Sequence, residues 1–189
     1  AESGAHEYLQ EIEVLSEVDY GVIDGIKLEK KALSETQKRA ATEEDLHNRM
    51  NRMAEMSLDL EQIASSQERN VQLVEHIKGL VAKKPESSII LFAASVKHAV
   101  ALAAVLNFMQ ISAASVSGSS SPAARKRAIA GFKSGEYKVL TNYGVLSEGF
   151  DAPKCDAVYI ARPVFSPNRY LQMIGRGLRG PKNGGSKTT

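Results

Sequence analysis

Ser88-Ile-Ile-Leu-Phe92 carries no polar residue after its first serine. A strand that is apolar at every position has no side left for water, so it must be covered on both faces. Such a strand belongs inside a parallel sheet, and the sheet needs helices above and below it. The residues that follow supply them. Ser95 is placed to cap a predicted helix from Val96 to Met109, expected to bury Val100, Leu102, Val105 and Leu106. Ile111 to Val116 reads as the next strand and runs into the loop Ser117-Gly-Ser-Ser-Ser-Pro122. Pro122 opens a helix over Ala123 to Lys133, with Ile129 and Phe132 turned inward and Gly135 breaking it. Tyr137 to Thr141 and Asp156 to Ala161 read as two further strands. This alternation predicts right-handed βαβ units in a three-layer α/β/α sandwich with a mainly parallel sheet.

In that architecture ligands sit beyond the carboxyl ends of the strands. The loops gathered there are Ala93-Ala-Ser-Val96, Ser117-Gly-Ser119, Asn142 to Lys154, and Arg162-Pro-Val-Phe-Ser166. They hold small, hydroxylated and glycine-rich residues, which allow a ligand close to the backbone.

The last of these loops leads into Ser166-Pro-Asn-Arg-Tyr-Leu-Gln-Met-Ile-Gly-Arg-Gly-Leu-Arg179. Ser166 and Pro167 make a helix start, a hydroxyl cap followed by proline at the first helical position. At helical spacing Gln172, Arg176 and Arg179 share one face, while Leu171, Ile174 and Leu178 turn toward a core. Two guanidiniums beside an amide form a donor set suited to phosphate oxygens. Gly175 and Gly177 flank Arg176, so the backbone there can approach a ligand or end the helix. The rival reading is a solvated basic helix end, favoured by the helix dipole. Charge distribution bears on the choice. Formal net charge is only +2, yet no acidic residue follows Asp156, while Arg162, Arg169, Arg176, Arg179, Lys182 and Lys187 do. The asymmetry points to one anion-facing edge, with nucleotide or nucleic acid as the candidate partner.

Upstream, Val18 to Leu28 alternates β-formers with polar residues and glycine, as a strand or hairpin does. From Ser34 the pattern turns helical, and Leu46, Met50, Met53, Leu60 and Ile63 form an amphipathic stripe. Ser65-Ser-Gln-Glu68 fits a capping box for a second helix through Val71, Val74, Ile77, Leu80 and Val81, stopping before Lys84-Pro85. The expected organisation is a linker with a strand or hairpin over 1–33, a helical hairpin over 34–85 and an α/β domain over 86–189. The single Cys155 suits a reducing cytoplasm, and no apolar run reaches the roughly 20 residues that span a bilayer. His6, His47, His76 and His98 lack ligand spacing and read as surface residues, so no metal site is expected on this chain.

Two stretches carry a family resemblance. Gln172-x-x-Gly-Arg-x-x-Arg179 resembles motif VI of superfamily 2 DEAD/DEAH-type ATP-dependent helicases, and Ser147-Glu-Gly-Phe-Asp-Ala-Pro153 resembles their motif V. Taken alone, the second stretch is equally a tight turn closed by Pro153 with an Asx bond from Asp151. Ile89-Ile-Leu-Phe-Ala93 with Ser95 resembles motif IV, and Val116-Ser-Gly118, Arg125, Phe132 and Gly135 resemble the pattern between motifs IV and V. The phrasing is closer to restriction- and repair-type DNA helicases than to DEAD-box RNA helicases.

The resemblance implies a C-terminal RecA-like motor domain. Arg176 and Arg179 would be arginine fingers on the β- and γ-phosphates of ATP, with Gln172, Gly149, Asp151 and Glu148 near the nucleotide. Ser95, Ser117, Gly118, Thr141 and Ser147 would touch the nucleic-acid backbone. Such contacts hold a strand without reading its sequence. One departure is Tyr143, at a position where many relatives carry threonine; Thr141 lies two residues earlier, at the expected strand end. No Gly-x-x-x-x-Gly-Lys-Ser/Thr or Asp-Glu-x-His occurs, so ATP and Mg2+ would be held mainly by an N-terminal motor domain of the same protein. The chain would then be inactive alone and truncated after motif VI. The alternative from another class is a non-catalytic nucleic-acid binding or docking module on the same fold.

Overall fold

The computed structural model describes residues 60–145, 155–164 and 167–175, together with Gly21. In chain order they form α1 (Gln67–Lys83), β1 (Ile89–Phe92), α2 (Val96–Phe108), β2 (Ala113–Ser117), α3 (Pro122–Ser134), β3 (Val139–Tyr143), β4 (Ala157–Ile160) and α4 (Pro167–Ile174). Residues 60–65 are helical too and are separated from α1 by Ser66. The strand expected over 18–28, most of the amphipathic stripe upstream of Leu60 and the boundary at 33 lie outside the described residues.

The strands form one sheet in the order β2-β3-β1-β4, and every pairing is parallel. Ile89 lies between Val139 and Ala157, and Leu91 between Thr141 and Tyr159. All four residues of β1 are buried, as its apolar run requires. Because successive side chains point to opposite faces, the strands divide their residues between two cores. On one face Ile89, Leu91, Ala113 and Val139 pack with Leu73, Val74 and Ile77 of α1 and Leu102 and Leu106 of α2. On the other, Ile90, Phe92, Val116 and Leu140 pack with Ala128 and Phe132 of α3, Met173 of α4 and Cys155. The three-layer parallel α/β/α sandwich is therefore observed. The chain passes from β1 across β3 to β2 with α2 on the first face, then returns to β3 with α3 on the second. Reversing direction and face together keeps both crossovers of one hand.

Local chemistry sets the helix starts. The hydroxyls of Ser66, Ser95 and Ser121 accept from the backbone N–H groups of Arg69, His98 and Ala124. Gly135 ends α3 in the left-handed region, at φ 82°. The expected capping box from Ser65 to Glu68 is not what forms. The preceding helical turn claims Ser65, whose hydroxyl donates to Glu61 O at 2.8 Å, while Ser66 N donates to Gln62 O. The cap moves to Ser66, and its partner three residues on is Arg69. Helix α1, expected as half of a hairpin ahead of the domain, contributes directly to the core of the sheet's first face.

Three further expectations are corrected. Val100 and Val105 are 53% and 45% exposed, because His98, Ala99, Leu102, Ala103 and Leu106 make up the sheet-facing stripe of α2. The small Ala99 and Ala103 let the helix sit close to the strands, and the two valines fall on the far side. His98, read as a surface residue, is buried. Strand β3 runs two residues past Thr141, because Asn142 and Tyr143 pair with Val116 and Ser117 of β2. Thr141 therefore sits in the middle of the strand.

Candidate nucleotide and nucleic-acid edge

The carboxyl edge is tied together by two bonds that continue the ladder past the strands. Ala93 N donates to Asn142 O at 2.9 Å, and Ala161 N donates to Phe92 O at 2.8 Å. From neighbouring strands the chain then leaves in opposite directions, β1 into α2 on one face and β4 toward α4 on the other. Neighbouring strands whose connections part in this way leave a crevice at their carboxyl ends, the usual ligand position in an open α/β sheet. The described loop residues on this edge, 93–95, 117–121, 143–145 and 161–164, contain no aspartate or glutamate. Asp156 lies at the opposite edge, where its carboxylate accepts from Ser88 N at 2.8 Å and pairs with Lys84.

Of the residues singled out from the sequence, Ser95 is half-buried at the start of α2, and its Oγ accepts from His98 N at 3.1 Å. Ser117 is buried at the end of β2, with its hydroxyl 2.8 Å from that of Ser119. Gly118 is exposed in the turn that follows, with open space where a side chain would stand. Gln172 is exposed on α4 beside Met173, which anchors the helix in the second core. Ser95, Ser117 and Gly118 follow the carboxyl ends of β1 and β2, while Gln172 lies further along, on the helix after β4. Thr141 is placed differently: it is fully buried, and its hydroxyl donates to Ala99 O at 2.8 Å, toward α2 and away from the loops. Arg176, Arg179, Glu148, Gly149, Asp151 and Ser147 lie outside the described residues, as do Ser166 and the expected continuation of the arginine helix. Within the described residues α4 spans Pro167–Ile174, with Gly175 in a turn.

Several residues that were not expected to touch a ligand shape this edge. His98 Nδ1 accepts from Ala94 N at 3.1 Å, and Nε2 faces Asn70 Oδ1 at 3.0 Å. Accepting at Nδ1 leaves the ring proton on Nε2, so the imidazole donates to Asn70. Asn70 Nδ2 in turn donates to Ala64 O at 2.9 Å. This chain of bonds fixes the loop after β1 to α1 and to the turn before it. Burial first, and the nearby Arg69 second, hold the His98 pKa down to about 4. The imidazole is therefore neutral at pH 7. The only sequence signal was a histidine three positions after the helix-capping Ser95, where a capping residue reaches back to the loop.

Tyr143 has a partner as well. The Arg162 guanidinium lies over its ring, 5.3 Å from the centroid. These residues come from strands on either side of β1, so the stack reaches across the exit of that strand. Arg125 donates through one guanidinium nitrogen to Ser117 O at 3.2 Å, bracing the loop after β2. Two arginines thus stand on an edge whose described loops lack carboxylates, a field that favours anions. Asn142 Nδ2 donates to Leu91 O at 3.1 Å, joining β3 to β1 where the crevice begins. Cys155 is fully buried below, its thiol pushed up to about 12 by desolvation, and is chemically quiet.

Residues 70–180 match the family described as the helicase conserved C-terminal domain, a span beginning inside α1. Over 106 residues the chain is 35% identical to IRC3 of Saccharomyces cerevisiae, which carries the name of an ATP-dependent helicase; the match covers 54% of this chain and 15% of that protein. The fold is similar to the Hef helicase domain of Pyrococcus furiosus, with a TM-score of 0.52 and 25% identity over 80% of this chain and 32% of that one. It is equally similar to domain 2 of the DEAD-box helicase Mss116p, solved on an RNA duplex: TM-score 0.53 and 25% identity over 68% of this chain and 49% of that one. The matched segment is thus a small part of the curated relative and about a third of the Hef chain. With the parallel sheet, the order of its elements and a family match over more than half its length all in agreement, this chain belongs to the helicase conserved C-terminal domain family.

Proposed function

We propose that the chain is the second motor domain of an ATP-dependent nucleic-acid helicase or translocase of superfamily 2. The observation that carries this reading is the crevice between the carboxyl ends of β1 and β4. Its described loops are free of acidic residues, Ser95 follows β1 there, and the helix that carries Gln172 follows β4. In the proposed arrangement Arg176 and Arg179 follow α4 and reach ATP bound to a preceding motor domain. Gln172, Gly149, Asp151 and Glu148 border the nucleotide, and Ser95, Ser117, Gly118 and Ser147 line the path of the strand. The donor set fits the group, since guanidinium and amide donors suit phosphate oxygens. The reading leaves Mg2+ to the preceding domain. DNA is the proposed strand, on the resemblance to restriction- and repair-type enzymes, and the cytoplasm the proposed location. Thr141 drops out of the proposed contacts, because its hydroxyl is spent inside the domain.

The test uses a protein in which this chain is joined to its N-terminal motor domain. Arg176→Ala and Arg179→Ala should each lower kcat for ATP hydrolysis by roughly a thousandfold, with far smaller changes in ATP affinity. Turnover unchanged by either substitution would refute the finger assignment. The chain alone should show negligible hydrolysis and weak oligonucleotide binding that falls steeply with salt. Vigorous hydrolysis by the chain alone would overturn the division of the site between two domains.

A further inference from the structure

Arg69 stands where its surroundings disfavour a cation. It is the third residue of α1, in the turn where the helix dipole opposes positive charge. The residue is half-buried, and its Nη1 is a buried donor without an acceptor. No ion pair among the described residues includes it. Burial lowers its pKa, with no carboxylate offsetting the effect even though Glu68 precedes it in the chain. A guanidinium does not give up its proton, so the charge stays where it is costly. Residues that break several local rules at once collect at functional sites.

The position of Arg69 identifies the ligand chemistry. Asn70, the next residue, meets His98 of the first turn of α2 at 3.0 Å, so α1 begins beside α2 at the carboxyl edge of the sheet. His98 is near enough to feel the Arg69 charge, and its backbone N–H donates to Ser95 Oγ at 3.1 Å. The imidazole is neutral at pH 7, and the described loops of this edge carry no carboxylate. Arg69 therefore supplies positive charge beside Ser95. Helices α1 and α2 cover the first face of the sheet, while α4 packs on the second. Arg69 thus stands across the sheet from the helix that leads to Arg176 and Arg179.

We propose that Arg69 is a backbone-phosphate contact for the nucleic-acid strand, extending the path marked by Ser95 onto α1. The assignment rests on reading the chain as a helicase motor domain, and it adds a charged residue to that domain's strand path. Because the residue is not enclosed, its planar fork can turn to a phosphate lying over the edge, which brings the missing acceptor and counter-charge together. Such a contact holds a strand whatever its sequence. The phosphates of ATP share this chemistry, but the proposed arginine fingers place them on the side of α4.

The test uses the chain joined to its N-terminal motor domain and a fluorescein-labelled oligodeoxythymidylate, with binding read by anisotropy over a salt series. Arg69→Gln should weaken binding about tenfold at about 0.1 M salt. It should also reduce the slope of log K against log salt by about 0.7, the share of one phosphate on a single strand. Arg69→Lys keeps the charge without the fork, so it should restore the slope and only part of the affinity. The urea midpoint of Arg69→Gln should be no lower than that of wild type, because an unpaired, half-buried cation has been removed. An unchanged slope in Arg69→Gln, with wild type binding normally, would overturn the contact and leave the motor-domain reading standing; a lowered urea midpoint alongside it would mark a structural role. Weakened ATP binding without any change in oligonucleotide binding would overturn it in favour of the nucleotide. A wild-type protein that neither bound the oligonucleotide nor hydrolysed ATP would overturn the contact and the motor-domain reading together.

Discussion

His98 gives this domain a pH dependence whose sign and size follow from its surroundings. The imidazole is 3% exposed, accepts from Ala94 N at Nδ1 and donates toward Asn70 from Nε2. Protonating Nδ1 would break the first bond and place a cation beside Arg69. The folded pKa is accordingly about 4, against an ordinary value of 6.5. Between these values the unfolded chain binds the proton and the folded chain does not, so stability rises with pH. The contribution is complete above the unfolded pKa and drains away as pH falls toward the folded one. Integrating the two titrations, a change from about pH 7.5 to about pH 5 costs about 2 kcal/mol, and going on to about pH 4 raises the loss to about 3 kcal/mol. Urea unfolding across this range should show the midpoint falling at constant m. His98→Gln keeps an acceptor for Ala94 N but has nothing to titrate. Its stability at neutral pH should be lower, and its loss between the same pH values smaller by about 2 kcal/mol. If wild type and His98→Gln lost equal stability between those two pH values, the buried neutral imidazole would not be the source.

Three other substitutions probe separate links. Asp156→Ala removes the acceptor of Ser88 N and the partner of Lys84 at the amino edge of the sheet, and should cost about 1.5–3 kcal/mol in urea unfolding. Gly135→Ala places a β-carbon on a residue at φ 82° and should cost about 1–2 kcal/mol, read as a lowered Tm. Thr141→Val removes the bond to Ala99 O and should cost about 1 kcal/mol, with oligonucleotide affinity unchanged. A clear fall in affinity without further loss of stability would show that this hydroxyl reaches the ligand after all.

The layer architecture was legible because it rests on burial, and burial leaves a pattern in residue types. The run from Ile89 to Phe92 carries no polar option, so a central parallel strand was the only element that satisfied it. Ser95, Pro122 and Gly135 were legible for a related reason, since caps and breakers act through their own backbone neighbours. The failures came where two elements competed for the same residues. Ser65 lost its capping role to a helical turn on its amino side. Val100 and Val105 looked like core by hydrophobicity, but the sheet accepts only one side of α2, and the alanines decide which side lies against it.

Site chemistry was legible by position more than by partner. The order of strands and loops brought Ser95, Ser117 and Gly118 to one edge, because topology alone fixes where carboxyl ends gather. A hydroxyl's availability is another matter. Thr141 and Ser95 are both hydroxylated, yet β3 continues two residues past Thr141, which keeps Thr141 inside the ladder with its hydroxyl bonded to α2. Tyr143, the departure from the usual threonine, is the residue that reaches the edge, and it arrives carrying Arg162. Motif spacing therefore identifies the loop that lies on the edge, while the length of the strand decides which of its residues leave the sheet.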